Sequence, residues 1–126
     1  MKKILVTGSA GFIGSSFVKL MLNSGDYEVV SFDALTYAGN LENLASLKDN
    51  PKHTFVKGNI ESKTDLEGLF NEHKFDGVMN FAAESHVDRS IMDSSPFVST
   101  NVFGTVNLLD YSKKHNVERY LQVSTD

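Results

Sequence analysis

Eight residues, Thr7-Gly8-Ser9-Ala10-Gly11-Phe12-Ile13-Gly14, directly follow the apolar run Ile4-Leu5-Val6, and an acidic residue, Asp33, stands 19 positions after Gly14. This pattern suits the phosphates of a dinucleotide. Gly8 permits a tight turn out of a strand, Gly11 lets the backbone approach a pyrophosphate, and Gly14 lets the following helix pack on the sheet. The first N–H groups of that helix, with the positive end of its dipole, then face the anion. A carboxylate at Asp33 would accept hydrogen bonds from a ribose diol and repel a 2′-phosphate. Ala34 and Leu35 bring no Arg to offset that repulsion, so the expected cofactor is NAD rather than NADP. The plainer alternative for Asp33 is a residue that caps its own loop.

Three further segments carry polar or unusually small residues where strands end. In Gly58-Asn59-Ile60, an adenine ring could rest on the chain, and Asn59 offers the base edge both an acceptor and a donor. The same Asn also suits a simple turn. In Phe81-Ala82-Ala83, small side chains would let a nicotinamide ribose come close. The run Glu84-Ser85-His86-Val87-Asp88-Arg89-Ser90 crowds six polar residues after an apolar stretch. Substrate contact and a self-paired surface loop both fit it. The four histidines show no metal-ligand spacing; His53, His73 and His115 read as surface residues, and His86 stays open. No metal site is expected. Neither a nucleophile elbow nor a phosphate loop ending in Gly-Lys-Ser/Thr is present.

The elements that must position these residues follow from the hydrophobic periodicity. Residues 3–7 predict a buried strand, and 12–24 a helix with Ile13, Phe17, Leu20 and Met21 on one face and Gly25 as its stop. Strands are expected at 28–32, 53–56, 77–81 and 120–123. Helices are expected near 41–47 (closed by Asn50-Pro51), at 63–72 and at 97–115. Strands alternating with helices indicate an α/β fold with a doubly wound parallel sheet of about five strands, ordered 3-2-1-4-5 as in the Rossmann type. The ligand should then cross the carboxyl ends of strands 1 and 4. The long helix carries two apolar stripes, Val98/Val102/Val106/Leu109 and Phe97/Gly104/Leu108/Tyr111. One stripe suffices to cover a sheet, so the second predicts another partner, or else partial solvation.

Composition bounds the rest. The 126 residues carry 12 basic and 16 acidic side chains, a net charge of -4, 40% hydrophobic residues and no cysteine. One domain with a real core is expected, and the scattered negative charge disfavours nucleic acid as a partner. The absence of cysteine suits a cytoplasmic setting. No stretch approaches the roughly 20 apolar residues of a membrane span.

The glycine pattern Thr-Gly-x-x-Gly-x-x-Gly resembles that of extended short-chain dehydrogenase/reductases. Asp33-Ala-Leu-Thr-Tyr-Ala-Gly-Asn40, Ala82-Ala-Glu-Ser-His-Val-Asp-Arg-Ser-Ile91, Thr100-Asn-x-x-Gly-Thr105 and Val123-Ser-Thr-Asp126 are similar to the signatures of dTDP-glucose 4,6-dehydratases, nucleotide-sugar lyases within that family. The resemblance implies NAD as cofactor, with Gly8, Gly11, Phe12, Ile13 and Gly14 at the pyrophosphate and Asp33, Ala34, Leu35 and Thr36 at the adenosine ribose. It puts Asn59 and Ile60 at the adenine, and Phe81, Ala82, Ala83, Ser85 and Thr100 toward the nicotinamide. Ser85 and Thr125 would touch the sugar substrate, with Thr125 near its C4, and Asp126 would protonate the departing hydroxyl. At position 59 the family usually has Asp. The substitution predicts one adenine contact weakened or rearranged.

The family also uses a Glu after that acid and a later Tyr-x-x-x-Lys pair. Here Tyr27, Tyr37, Tyr111 and Tyr120 are followed four positions on by Ser31, Leu41, His115 and Ser124. The expectation is therefore an incomplete NAD-binding domain spanning 1–126, inactive alone, from a parent that is a homodimer, with self-association open to the piece itself. The alternatives are another extended-type enzyme (a UDP-sugar epimerase, decarboxylase or dehydratase) and a non-catalytic dinucleotide-binding module.

Overall fold

The computed structural model describes residues 2–8, 12–33, 47, 50–81 and 104–122. In chain order the described elements are β1 (Lys2–Thr7), α1 (Phe12–Ser24), β2 (Tyr27–Asp33), β3 (His53–Lys57), α2 (Lys63–Glu72), β4 (Gly77–Asn80), α3 (Thr105–Lys114) and β5 (Arg119–Gln122). All strand pairs are parallel and the sheet order is β3-β2-β1-β4-β5, so the expected Rossmann-type topology is observed.

Burial follows position in the sheet. Ile4 to Thr7 of β1 and Val29 to Asp33 of β2 are buried, as mostly apolar strands in the middle of a parallel sheet should be, with Thr7, Ser31 and Asp33 the buried polar members. At the outer position β5 alternates instead, with Arg119 and Leu121 exposed and Tyr120 and Gln122 half-buried. Two apolar layers form. On one face α2 and α3 cover Leu5, Val30, Phe32 and Val78 with Leu66, Leu69, Phe70 and Leu108. On the other, α1 covers Ile4, Val6 and Val29 with Val18 and Leu22. Phe70 also meets Phe75 edge-on, at 5.3 Å between ring centroids.

The helix boundaries have local causes. Ser62 caps α2 by accepting the Asp65 N–H at 3.2 Å, and Asp65 adds negative charge to the first turn. Gly25 closes α1 with φ +80°, as its expected role requires. In α3 the last turn carries Lys113 and Lys114, and Asn116 turns the chain with φ 58°.

Three expectations are corrected. In α1 the face turned to the sheet is Gly14, Val18 and Leu22, flanked by Phe17 and Met21. Ile13 and Leu20 point outward at 43% and 66% exposure, because the periodicity of a helix apolar on most sides leaves the choice of face to packing. The β4 ladder ends at Asn80, one residue before Phe81. The histidines at 53, 73 and 115 are partly buried rather than superficial: His73 stacks on Phe75, and His115 packs against Phe70 and Tyr111.

Of the two helical stripes, Leu108 is fully buried and Tyr111 packs on the core, while Val106 and Leu109 are 49% and 44% exposed. The predicted helix near 41–47 and residues 97–103 fall outside the described residues, save for Leu47, which is buried. No described helix is long and apolar enough to cross a membrane.

Candidate functional site

The strand order reverses between β1 and β4, where open parallel sheets bind ligands beyond their carboxyl ends. Gly8 leaves β1 with φ 71°, a backbone state that costs other residues steric strain, and its N–H donates to the Phe32 carbonyl at 3.0 Å. That bond ties the turn to the end of β2, next to Asp33. Asp33 is 9% exposed and its carbonyl accepts the Gly58 N–H at 3.1 Å. Gly8, Asp33 and Gly58 therefore line up along the ends of β1, β2 and β3. Across the reversal, Phe81 leaves β4 with its N–H on the Thr7 carbonyl at 2.9 Å, buried against Phe17. The backbone of α1 begins at Phe12, and Gly14 is buried where the helix meets the sheet.

The loop after β3 is held from several sides. The Asn59 N–H donates to Asp65 Oδ2 at 3.1 Å, and the Ser62 N–H to the Asn59 carbonyl at 2.9 Å. Asn59 Oδ1 accepts the Glu61 N–H at 2.8 Å. Asn107, buried on α3, donates its amide to the carbonyls of Ile60 (3.0 Å) and Glu61 (3.2 Å). Ile60 is buried against Gly104, and Asn59 stays exposed above it.

Beneath the crevice lies a polar row that the sequence reading missed. Thr7 Oγ1 donates to Asn80 Oδ1 at 2.6 Å, and Asn80 Nδ2 donates to Gln122 Oε1 at 2.8 Å. The Tyr120 hydroxyl donates to the same Gln122 oxygen at 2.9 Å. Thr7 and Asn80 are fully buried, in the last matched register of β1 and β4. Burial raises the Tyr120 phenol above its usual range, and the Asn80 contact partly opposes this. The signal was one of position: a polar residue (Thr7, Asn80, Gln122) at the last position of each of three neighbouring strands.

Of the expected site residues, Gly8, Phe12, Ile13, Gly14, Asp33, Asn59, Ile60 and Phe81 belong to the described residues, and the structure gathers them at the carboxyl ends of the strands, with Ile60 beneath Asn59. Gly11, Ala34, Leu35, Thr36, Ala82, Ala83, Ser85, Thr100, Thr125 and Asp126 lie outside them, as does His86. No cluster of metal-ligating side chains occurs among the described residues.

Residues 5–126 match the family model of GDP-mannose 4,6 dehydratase. The chain is 53% identical over 123 residues to the low-salt glycan biosynthesis protein Agl12 of Haloferax volcanii, covering 98% of this chain and 39% of that protein. It is 52% identical over 131 residues to a dTDP-glucose 4,6-dehydratase of Xanthomonas campestris, covering 97% and 37%. The crystal structure of a Bacillus anthracis dTDP-glucose 4,6-dehydratase in complex with NAD superposes with a TM-score of 0.86 at 48% identity, covering 99% of this chain and 38% of that one. The chain thus spans about two fifths of the length of these relatives.

Proposed function

The chain belongs to the GDP-mannose 4,6 dehydratase family, and from that premise we propose that residues 1–126 form the NAD-binding, Rossmann-type domain of a dTDP-glucose 4,6-dehydratase. The observation that carries the reading is the Gly8 turn, bonded to the end of β2 beside Asp33 at the reversal of strand order. The residues present fit the group. A positive-φ glycine opens the phosphate turn, a carboxylate ends β2 where a ribose diol would lie, and the exposed Asn59 amide stands at the end of β3.

When bound, NAD would supply a reversible hydride acceptor for an internal redox cycle, with oxidation at C4 of the sugar, loss of water across C5–C6 and return of the hydride to C6, giving a 4-keto-6-deoxy sugar nucleotide. This chain's own residues would bind and orient. Asp33, with Ala34, Leu35 and Thr36, holds the adenosine ribose. Ala82, Ala83, Ser85 and Thr100 border the nicotinamide half, and Ser85 and Thr125 hold the sugar. Asp126 supplies the proton to the departing hydroxyl. No tyrosine of this chain is assigned to C4 oxidation, since none precedes a lysine by four positions. The reading extends to a cytoplasmic setting and to self-association through the exposed Val106 and Leu109 of α3.

Calorimetric titration of the chain with NAD and NADP tests the proposal. NAD should bind about tenfold or more tightly than NADP, because Asp33 opposes the 2′-phosphate. Asp33→Asn should narrow that gap. Equal affinity of the unaltered chain for the two, or no binding of either, would overturn the reading.

A further inference from the structure

We infer that Asn59 presents a hydrogen-bond donor, not an acceptor, to the base of the bound dinucleotide, so that the site takes a 6-oxopurine base at least as readily as adenine. The inference rests on the NAD reading given above and concerns which atom of position 59 faces the base.

A backbone N–H can only donate. With the Glu61 N–H 2.8 Å from the side chain of Asn59, the atom turned toward it must be the carbonyl oxygen. Flipping the amide would set two donors face to face. The loop has little freedom to evade this constraint. Asp65 holds the Asn59 N–H, the Asn59 carbonyl accepts from Ser62, and Asn107 grips the next two carbonyls. The outward end of the amide is therefore Nδ2, which has no partner among the described residues and sits on an exposed side chain.

Adenine shows a donor at its 6-amino group and an acceptor at N1. An outward NH2 opposes the first and can only pair with the second. Hypoxanthine carries an oxygen in place of that amine, an acceptor that an amide N–H can meet. An Asp at position 59 would behave oppositely. One carboxylate oxygen would keep the Glu61 N–H, and the other would accept from the adenine amine and repel a 6-oxo group. A single atom decides the preference.

The test titrates the chain and its Asn59→Asp variant with NAD and with nicotinamide hypoxanthine dinucleotide. Asp retains the acceptor for Glu61, so the variant keeps the loop's internal bond. For the unaltered chain the analogue should bind within about threefold of NAD, or more tightly. In the variant the ratio should swing toward NAD by about tenfold or more, the worth of one charge-assisted hydrogen bond. A tenfold preference of the unaltered chain for NAD, or a ratio unmoved by the substitution, would overturn the inference while leaving NAD binding intact. If neither dinucleotide bound the unaltered chain, the inference would fall together with the reading beneath it.

Discussion

Gly104→Ala probes the packing that supports the loop after β3. Gly104 is buried with φ -63° and ψ -45°, angles any residue adopts, so backbone strain is no obstacle. Space is the obstacle. A Cβ there would lie 2.5 Å from Ile60 Cγ1, nearer still to Cδ1, and 3.5 Å from Cβ. Ile60 cannot retreat freely, because Asn107 holds its carbonyl at 3.0 Å. Overpacking of this kind costs about 1–3 kcal/mol. Against it, replacing Gly in a compatible conformation stabilises by about 0.4–1 kcal/mol through the unfolded chain. The net expectation is a loss of about 0–2.6 kcal/mol, and a double-mutant cycle isolates its steric part. Ile60→Ala alone should cost about 2–5 kcal/mol. In that background both close atoms are gone, and Gly104→Ala should become neutral or stabilising. The coupling between the two changes should thus amount to about 1–3 kcal/mol, read from urea unfolding followed by circular dichroism. An unchanged cost of Gly104→Ala on Ile60→Ala would refute the steric argument.

Two further outcomes follow from buried polar groups. Thr7→Val keeps the shape of the side chain but removes the donor to Asn80 Oδ1 inside a fully buried pair. It should lower stability by about 1–3 kcal/mol, and an unshifted urea midpoint would show that the bond contributes nothing net. His53 and His73 are both held below the ordinary imidazole value of 6.5, chiefly by burial, with the Lys3 ammonium adding to the effect at His73. The unfolded chain therefore takes up protons first as pH falls. The stability tied to neutral His53 and His73 should be whole above pH 6.5 and decline as pH drops through the lowered folded values. Urea midpoints at about pH 7.5 and 5.5 should differ in that direction, and a double His53→Gln, His73→Gln variant should flatten the slope. A midpoint that rose on acidification would contradict the assignment.

The parallel sheet and its order were legible because Ile4-Leu5-Val6 of β1 is a continuous apolar run ending at a glycine turn and β2 is apolar from Val29 to Phe32 but for Ser31, a pattern set by burial on both faces. The turn at Gly8 was legible for a related reason, since few residues other than glycine tolerate its φ. What the pattern could not convey was direction. Ile13 and Leu20 share a stripe with Phe17, yet which stripe faces the sheet depends on neighbours that the local sequence does not specify.

The polarity of a site is hidden in the same way. Read alone, Asn59 is a donor and an acceptor at once, and nothing in Gly58-Asn59-Ile60 says which end faces a ligand. Only the folded loop places the Glu61 N–H against one end and so leaves the other outward. Asn80 makes the parallel case within the core. In sequence it interrupts an apolar strand, and in the fold it is the middle member of a row that joins β1, β4 and β5 just below the crevice. Strand order brings the glycine turn and Asp33 together, but hydrogen bonds among residues with no motif of their own fix the atoms they present.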